Sequence, residues 1–113
     1  MSKIPHLNRR LSLDARGHLF DGAGGYEPLW SELGVHWAEV TPRSGRERQG
    51  KNAPLSNVGY KITVRSAPVG NPARPLPEQR FRDGNRIFHI KGVAESDQQG
   101  LYLTCFVEEE VVA

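Results

Sequence analysis

A polar segment of about sixteen residues, 42–57, separates two strand patterns and most constrains what this chain can fold into. Before it, residues 35–40 have a strand pattern around Trp37. We expect Trp37 in the core, because a tryptophan in a short strand usually anchors packing. After it, residues 60–65 alternate apolar and polar side chains, the clearest period-two signal in the chain. Ordinary connections have about 4–6 residues, and longer ones are usually functional or disordered. The sequence therefore predicts a sheet with one long loop that makes contacts.

Other strand patterns flank this long loop. In chain order they are Leu7–Asp14, Gln79–Arg82, Arg86–Ile90 and Leu101–Val107. Asp83-Gly84 is a hairpin signal between the second and third of these segments. Five or six antiparallel strands in 113 residues favour a closed or nearly closed barrel, because closure removes exposed sheet edges. We predict a mainly β fold: one domain over residues 1–113, a small antiparallel β-barrel of about six strands, with the long loop between strands two and three.

The long loop carries four basic residues and one acidic residue, a net charge of +3; these are Arg43, Arg46, Glu47, Arg48 and Lys51. Ser44 and Glu47 have the spacing of a helix capping box, which allows a short helix here. Three interpretations are open from the residues alone: a solvated surface loop, a single-stranded nucleic-acid site on an OB-like barrel, or a loop that lines a channel or docks on a neighbouring ring. The second needs aromatic side chains among the basic ones, and residues 42–57 contain none.

Two further segments carry predictions about contacts. Residues 67–78 contain four prolines, which exclude a central strand and favour an extended arm. The two ends of the chain differ in charge: basic residues, including Arg9 and Arg10, precede or begin the first strand, whereas Glu108, Glu109 and Glu110 follow the last. Solvated termini explain this asymmetry, but opposite polarity also suits head-to-tail packing of identical subunits in a ring.

The residue pattern indicates no catalytic, metal or cofactor site. The four histidines lack metal-ligand spacing. The spacing reveals no acid–base pair among Asp14, Asp21, Glu27 and Glu32. Cys105 is the single cysteine and lies in an apolar strand pattern, where it acts as a small hydrophobe. No apolar run approaches the roughly 20 residues of a membrane span, and the first residues lack the apolar core of a signal peptide. We expect a soluble, reduced, non-enzymatic product of the cytoplasm that needs no cofactor.

A series of short motifs runs in order from about residue 7 to residue 107. They are Leu7-Asn-Arg-Arg10, an Asp21…Gly24-Gly25 turn before Trp30, Val35-His-Trp-Ala-Glu-Val40, Ser44-Gly-Arg-Glu47, Tyr60-Lys-Ile-Thr-Val-Arg65, Gly84-Asn-Arg-Ile-Phe-His-Ile90 and Gly100-Leu-Tyr-Leu. Each motif is weak by itself, but the ordered series resembles the tailed-phage head–tail joining proteins, also called head closure or stopper proteins. Such proteins also occur in prophages and in gene transfer agents, which are phage-like particles that package host DNA.

The resemblance implies a ring of subunits at the head–tail junction of a virion or phage-like particle made in the bacterial cytoplasm. The portal and adaptor ring lie above it, tail proteins lie below, and no membrane is involved. Loops project into the central channel and retain packaged double-stranded DNA without reading its sequence. Here Arg43, Arg46, Glu47, Arg48 and Lys51 would face the channel or the DNA. Contacts between subunits or rings would fall to Arg9, Arg10, Glu108, Glu109 and Glu110.

This chain departs from the family pattern in the proline-rich arm at 67–78, where the family has a simpler turn, and the arm could reach a neighbouring subunit. The alternative function is a small OB-like barrel that binds single-stranded nucleic acid.

Overall fold

Six antiparallel strands close into a barrel in the computed structural model, which describes residues 4–20, 26–43 and 57–110. The strands are β1 (Arg9–Phe20), β2 (Tyr26–Pro42), β3 (Asn57–Arg65), β4 (Arg80–Asp83), β5 (Arg86–Glu95) and β6 (Tyr102–Glu110). Their order around the wall is β1-β2-β3-β6-β5-β4, and pairing of β1 with β4 closes the barrel. The predicted mainly β barrel, with its long connection between strands two and three, is confirmed. The described residues include no helix that could span a membrane.

The core lies inside the barrel, because successive side chains of a strand point to opposite faces and every second one points inward. Phe81 and Phe88 face each other across β4 and β5 and are the largest buried side chains. Tyr60 packs edge-on against Phe88, with ring centroids 5.7 Å apart. The remaining buried apolar residues are Leu11, Leu13, Ala38, Ile62, Val64, Ile90, Leu103, Cys105 and Val107. Cys105 is therefore a core residue, as the sequence predicted.

The first two strands are longer than the sequence predicted. Their pairing continues to Phe20 and Tyr26, on either side of the glycine-rich residues 21–25, which lie outside the described residues. The register shifts where Leu13 pairs with Gly34 but the next residue, Asp14, pairs with Glu32. One extra residue on β2 therefore makes a β-bulge, which bends the strand and re-aims its side chains. We call the paired residues 14–20 and 26–32 the hairpin extension.

Trp37 lies on the outer face of the barrel and is 55% exposed. The expectation that it is in the core is wrong. The next residue, Ala38, is fully buried, and Val40 packs against the core, so the even-numbered positions of this part of β2 face inward. Apolar residues occur at both the even-numbered and the odd-numbered positions of this segment. Pairing with β1 and β3 decides which of the two sets is buried.

The strand directions place two groups of connections at opposite ends of the barrel. At one end, the loop end, lie the start of β1, the long loop, the β4–β5 turn and the end of β6. At the other, the crossover end, residues 66–79 connect β3 to β4. These two strands are not neighbours in the wall, so the connection crosses the barrel.

The proline-rich segment 67–78 folds in turns rather than as an extended arm. The amide of Asn71 donates to the Pro68 carbonyl, the amide of Arg74 donates to the Asn71 carbonyl, and the side-chain oxygen of Asn71 accepts from the Ala73 amide. Pro75 is fully buried. Proline excludes this segment from the sheet, as predicted, but the crossing path makes it cover the barrel end. Its role in contacts with a neighbour stays a prediction.

The predicted β4–β5 hairpin is present, but its turn lies one residue further along the chain than the sequence predicts. Asp83 pairs with Arg86, so Gly84 and Asn85 form the two-residue turn. Gly84 has a φ of 60°, and a glycine in this region is what the first central position of a type II′ turn requires.

Candidate functional site

The root of the long loop is the part of the predicted channel segment that the structure describes. β2 and β3 remain paired up to Pro42 and Tyr60, so the two ends of the loop leave from adjacent strands at the loop end. The backbone amide of Arg43 donates to the Gly59 carbonyl at 3.1 Å. Its guanidinium lies against Gly59, where an added Cβ would come within 2.6 Å of Nε. A glycine at 59 therefore leaves the room that the Arg43 side chain occupies.

The other four predicted loop residues, Arg46, Glu47, Arg48 and Lys51, and the predicted capping box lie outside the described residues. Their roles stay predictions. Arg43 itself lies at the loop end, beside the mouth of the barrel and away from the crossover segment.

Three of the five charged residues predicted to make subunit contacts have partners within the chain. Arg9 Nη2 lies 2.6 Å from Asp83 Oδ2. Glu109 accepts two hydrogen bonds from Arg86, at 2.8 and 3.0 Å, and these bonds lower the pKa of Glu109 although burial opposes them. Glu110 Oε1 lies 2.7 Å from His89 Nε2.

The other two, Arg10 and Glu108, lie on outward-facing positions. Arg10 is exposed, and Glu108 is opposite His89 on the outside of β5. The Arg9–Asp83 and His89–Glu110 pairs join side chains that are at least a third exposed, so these two pairs contribute little to stability.

The basic start of β1 and the acidic end of β6 lie at the same end of the barrel but on opposite walls. β1 and β6 are three strands apart in either direction around the wall. The two ends of the chain therefore do not give the barrel a basic pole and an acidic pole. They place basic residues on one side of the barrel and acidic residues on the other, at the same height.

A buried ion cluster, which the sequence did not reveal, fixes the hairpin extension to the barrel. Asp14 is 2% exposed and accepts hydrogen bonds from Arg80 Nε at 2.8 Å and from Arg82 Nε and Nη2 at 2.9 and 3.2 Å. Arg82 also contacts Glu32, and the guanidinium of Arg80 lies 4.1 Å from the centroid of the Trp30 ring. The members come from β1, β2 and β4. Because the partners of Asp14 are 66 and 68 residues away, no local spacing could indicate the cluster.

The charge states of the cluster suit a structural role rather than a catalytic one. Burial tends to raise the pKa of Asp14, but hydrogen bonds from Arg82 and Arg80 and their positive charge outweigh it, so the pKa is lowered. Burial raises the pKa of the Cys105 thiol to about 12. A carboxylate held by two guanidiniums and a protonated buried thiol are poor proton-transfer groups and nucleophiles. In the described part of the chain, no three potential ligands stand close enough to hold a metal ion.

An apolar stripe lies on the outer face of β2. It consists of Leu33, Val35 and Trp37, which are 37%, 39% and 55% exposed. Trp37 is opposite Arg10 of β1, and Val35 is opposite Ser12. We call these three residues the β2 stripe. Contiguous exposed apolar groups with a polar rim mark interaction surfaces.

The surface features of this small closed barrel are typical of proteins that make contacts with other macromolecules. They are a long basic loop, oppositely charged sides and an exposed apolar stripe. The sequence profile of the family described as "Phage head completion protein" matches residues 2–110. The chain therefore belongs to the phage head completion family, a family of structural phage proteins, and the resemblance to head–tail joining proteins is confirmed.

Two solved structures show the same fold. A chain in the structure "Virion of native gene transfer agent (GTA) particle" is 54% identical, covers 97% of this chain and 100% of its own length, and superposes with a TM-score of 0.80. The solution structure of protein SF1141 from Shigella flexneri 2a is 18% identical over 96% of both chains, with a TM-score of 0.67; this likeness concerns the fold alone. No curated protein matches the chain significantly.

Proposed function

We propose that the chain is a head–tail connector, or stopper, of a phage or gene-transfer-agent particle. Its subunits form a ring between the portal-adaptor assembly and the tail, and the long loop retains packaged DNA in the channel. The observation that carries the proposal is the 54% identity to a chain of a gene-transfer-agent virion over that chain's whole length. This similarity supports the particle as the location, and the head–tail junction is the position that we propose within it.

The geometry of the barrel supports the assignment of the loop to the channel. Both loop ends are held by hydrogen-bonded strands at one end of a rigid wall, and Arg43 is packed at the root. A loop so anchored can project from the wall while the wall itself packs against neighbours. Its positive charge suits phosphate contacts that do not read sequence.

Electron microscopy of particles purified from the producing cells, with a tag on this chain, tests the location. We expect the label in a ring at the head–tail junction. Label that is absent from particles would sink the connector function. Steep salt-dependent binding of single-stranded oligonucleotides by the free chain would then favour the OB-like alternative.

A pair of charge-matched variants tests the loop. Arg46, Arg48 and Lys51 are replaced together by glutamine, and the control replaces three exposed cations outside the loop, Arg16, Arg65 and Lys91. Both variants lose three positive charges. We expect assembled particles with the loop variant to lose DNA, whereas control particles retain it. Equal DNA content in the two kinds of particle would show that loop charge does not retain DNA.

A further inference from the structure

The β2 stripe differs from the outer face of the rest of the barrel. On the neighbouring strands, the outward positions carry residues such as Ser12, Lys61 and Arg65. Leu33, Val35 and Trp37 are the part of the described wall where three consecutive outward side chains are apolar. β1 pairs with β4 only up to Asp14 and β2 pairs with β3 only from Ala38 onward, so the hairpin extension has free strand edges. A contact through the outer face of the barrel is instead made by side chains.

We propose that the β2 stripe and Arg10 contact the outer face of β6 in the next copy of this chain. This proposal rests on the ring of the proposed function and names the surface that builds it. The interface is heterologous: each subunit offers its β1–β2 side to one neighbour and its β6 side to the other.

Charge and height select β6 as the partner of the stripe. Arg10 and Trp37 are opposite each other near the loop end, and Glu108 and Glu110 lie at the same end of β6. Because β1 and β6 are on opposite walls, copies placed side by side bring a basic side against an acidic side at one height. A two-fold contact between two stripes instead brings Arg10 of both copies into the same interface, where like charges repel.

The β6 side also offers an apolar partner. Phe106 is partly exposed on its outer face and lies over Gly92 of β5, where an added Cβ would be 3.9 Å from the ring. It is two residues from Glu108 on the same face, as Trp37 is beside Arg10 on the other side. A stable pair usually buries roughly 800 Å² per partner, more than three side chains supply. The contact is therefore weak between free subunits and gains strength as a ring closes.

Cross-linking between introduced cysteines tests the interface in particles. The native Cys105 is the single cysteine and is buried, so exposed cysteines introduced on the surface react selectively. The variants are Arg10→Cys, Glu108→Cys and both together, treated with a short bismaleimide. We expect the double variant to give a ladder of covalent oligomers. The two single variants, expressed together, give covalent dimers and nothing larger.

The outcomes separate this interface from the connector function. Dimers from Arg10→Cys alone would show a two-fold contact and overturn the proposal. Labelled particles that contain the double variant without cross-links would overturn the interface while the connector function stands. Particles that lack the native chain altogether would overturn both.

A matched pair of substitutions provides a second readout. Trp37→Ser removes the largest and most exposed side chain of the β2 stripe, and Val69→Ser removes an 85% exposed apolar side chain at the crossover end. Both chains should fold, since neither side chain is in the core. We expect Trp37→Ser to reduce incorporation into particles at least tenfold and Val69→Ser to leave it unchanged. Equal incorporation of the two folded variants would also overturn the proposal.

Discussion

Replacing Asp14 by asparagine should destabilise the barrel far more than its position next to a long hairpin suggests. The carboxylate is 2% exposed and accepts three hydrogen bonds from Arg80 and Arg82. Hydrogen bonds to charged groups contribute about 1.5–3 kcal/mol each at most, and removal of one partner of a buried ion pair costs about 3–5 kcal/mol. The two arginines are 18% and 34% exposed and can recover part of their hydration, and asparagine keeps one acceptor oxygen.

We therefore expect Asp14→Asn to lower the free energy of unfolding by about 2 kcal/mol, which is about 8 °C in Tm for a domain of this size. The matched control is Asp83→Asn, which removes the same charge from the pair with Arg9, where both side chains are more than a third exposed. This control should cost about 0.5 kcal/mol or less. Urea unfolding followed by tryptophan fluorescence measures both variants.

The pH dependence gives an independent check on the cause. The folded-state pKa of Asp14 is lowered from 3.8, so its contribution is fully present above about pH 4. It is lost as the pH falls through the folded-state pKa, where the carboxyl protonates in the native state too. The difference between the native chain and Asp14→Asn should stay constant from pH 7 to 5 and shrink below pH 4. A loss no larger than that of Asp83→Asn, or a difference that does not shrink in acid, would refute the reasoning.

Three further results are expected. Burial lowers the pKa of His36 from 6.5, although a hydrogen bond with the Ala73 backbone opposes this shift. The stability that His36 contributes above pH 6.5 is therefore lost as the pH falls through its folded-state pKa. Thermal melts as a function of pH should show less of this loss in His36→Gln. Gly59→Ala displaces the Arg43 guanidinium, the far end of a flexible side chain, and should lower the free energy of unfolding in urea by less than about 1 kcal/mol. The control Gly34→Ala, whose Cβ meets nothing within 4 Å, should leave it unchanged. A loss of several kcal/mol in Gly59→Ala would mean that Arg43 cannot move. The Cys105 thiol, with a pKa of about 12, should react about a thousandfold more slowly with a disulfide reagent in the native chain than in urea, and similar rates would contradict its burial.

Much of the wall could be predicted from the sequence because period-two alternation is a local property. Ile62 and Val64 point inward as that alternation indicates, and so do Leu103, Cys105 and Val107 of β6. Trp37 could not be placed, because both faces of its strand carry apolar residues and the choice depends on partners in β1 and β3. The hairpin extension was hidden by glycines and Pro28, which argue against a strand in the sequence.

The candidate surfaces divide in the same way. The long loop is visible as a break between two strand patterns, and its bounds agree with the end of β2 and the start of β3. The Asp14 cluster and the opposed charged sides arise from strand order and register across more than sixty residues. Their members look like ordinary surface charges until the barrel closes.

The pairing of Pro42 with Tyr60 makes the long loop an exchangeable part. Since the adjacent strands already hold its two ends together, each doubling of its length adds only about 0.6 kcal/mol of closure entropy. Insertions and sequence changes in this segment can thus accumulate without disturbing the paired strands of the barrel wall. In the proposed connector, one barrel could therefore fit channels of different width by a change of the loop alone.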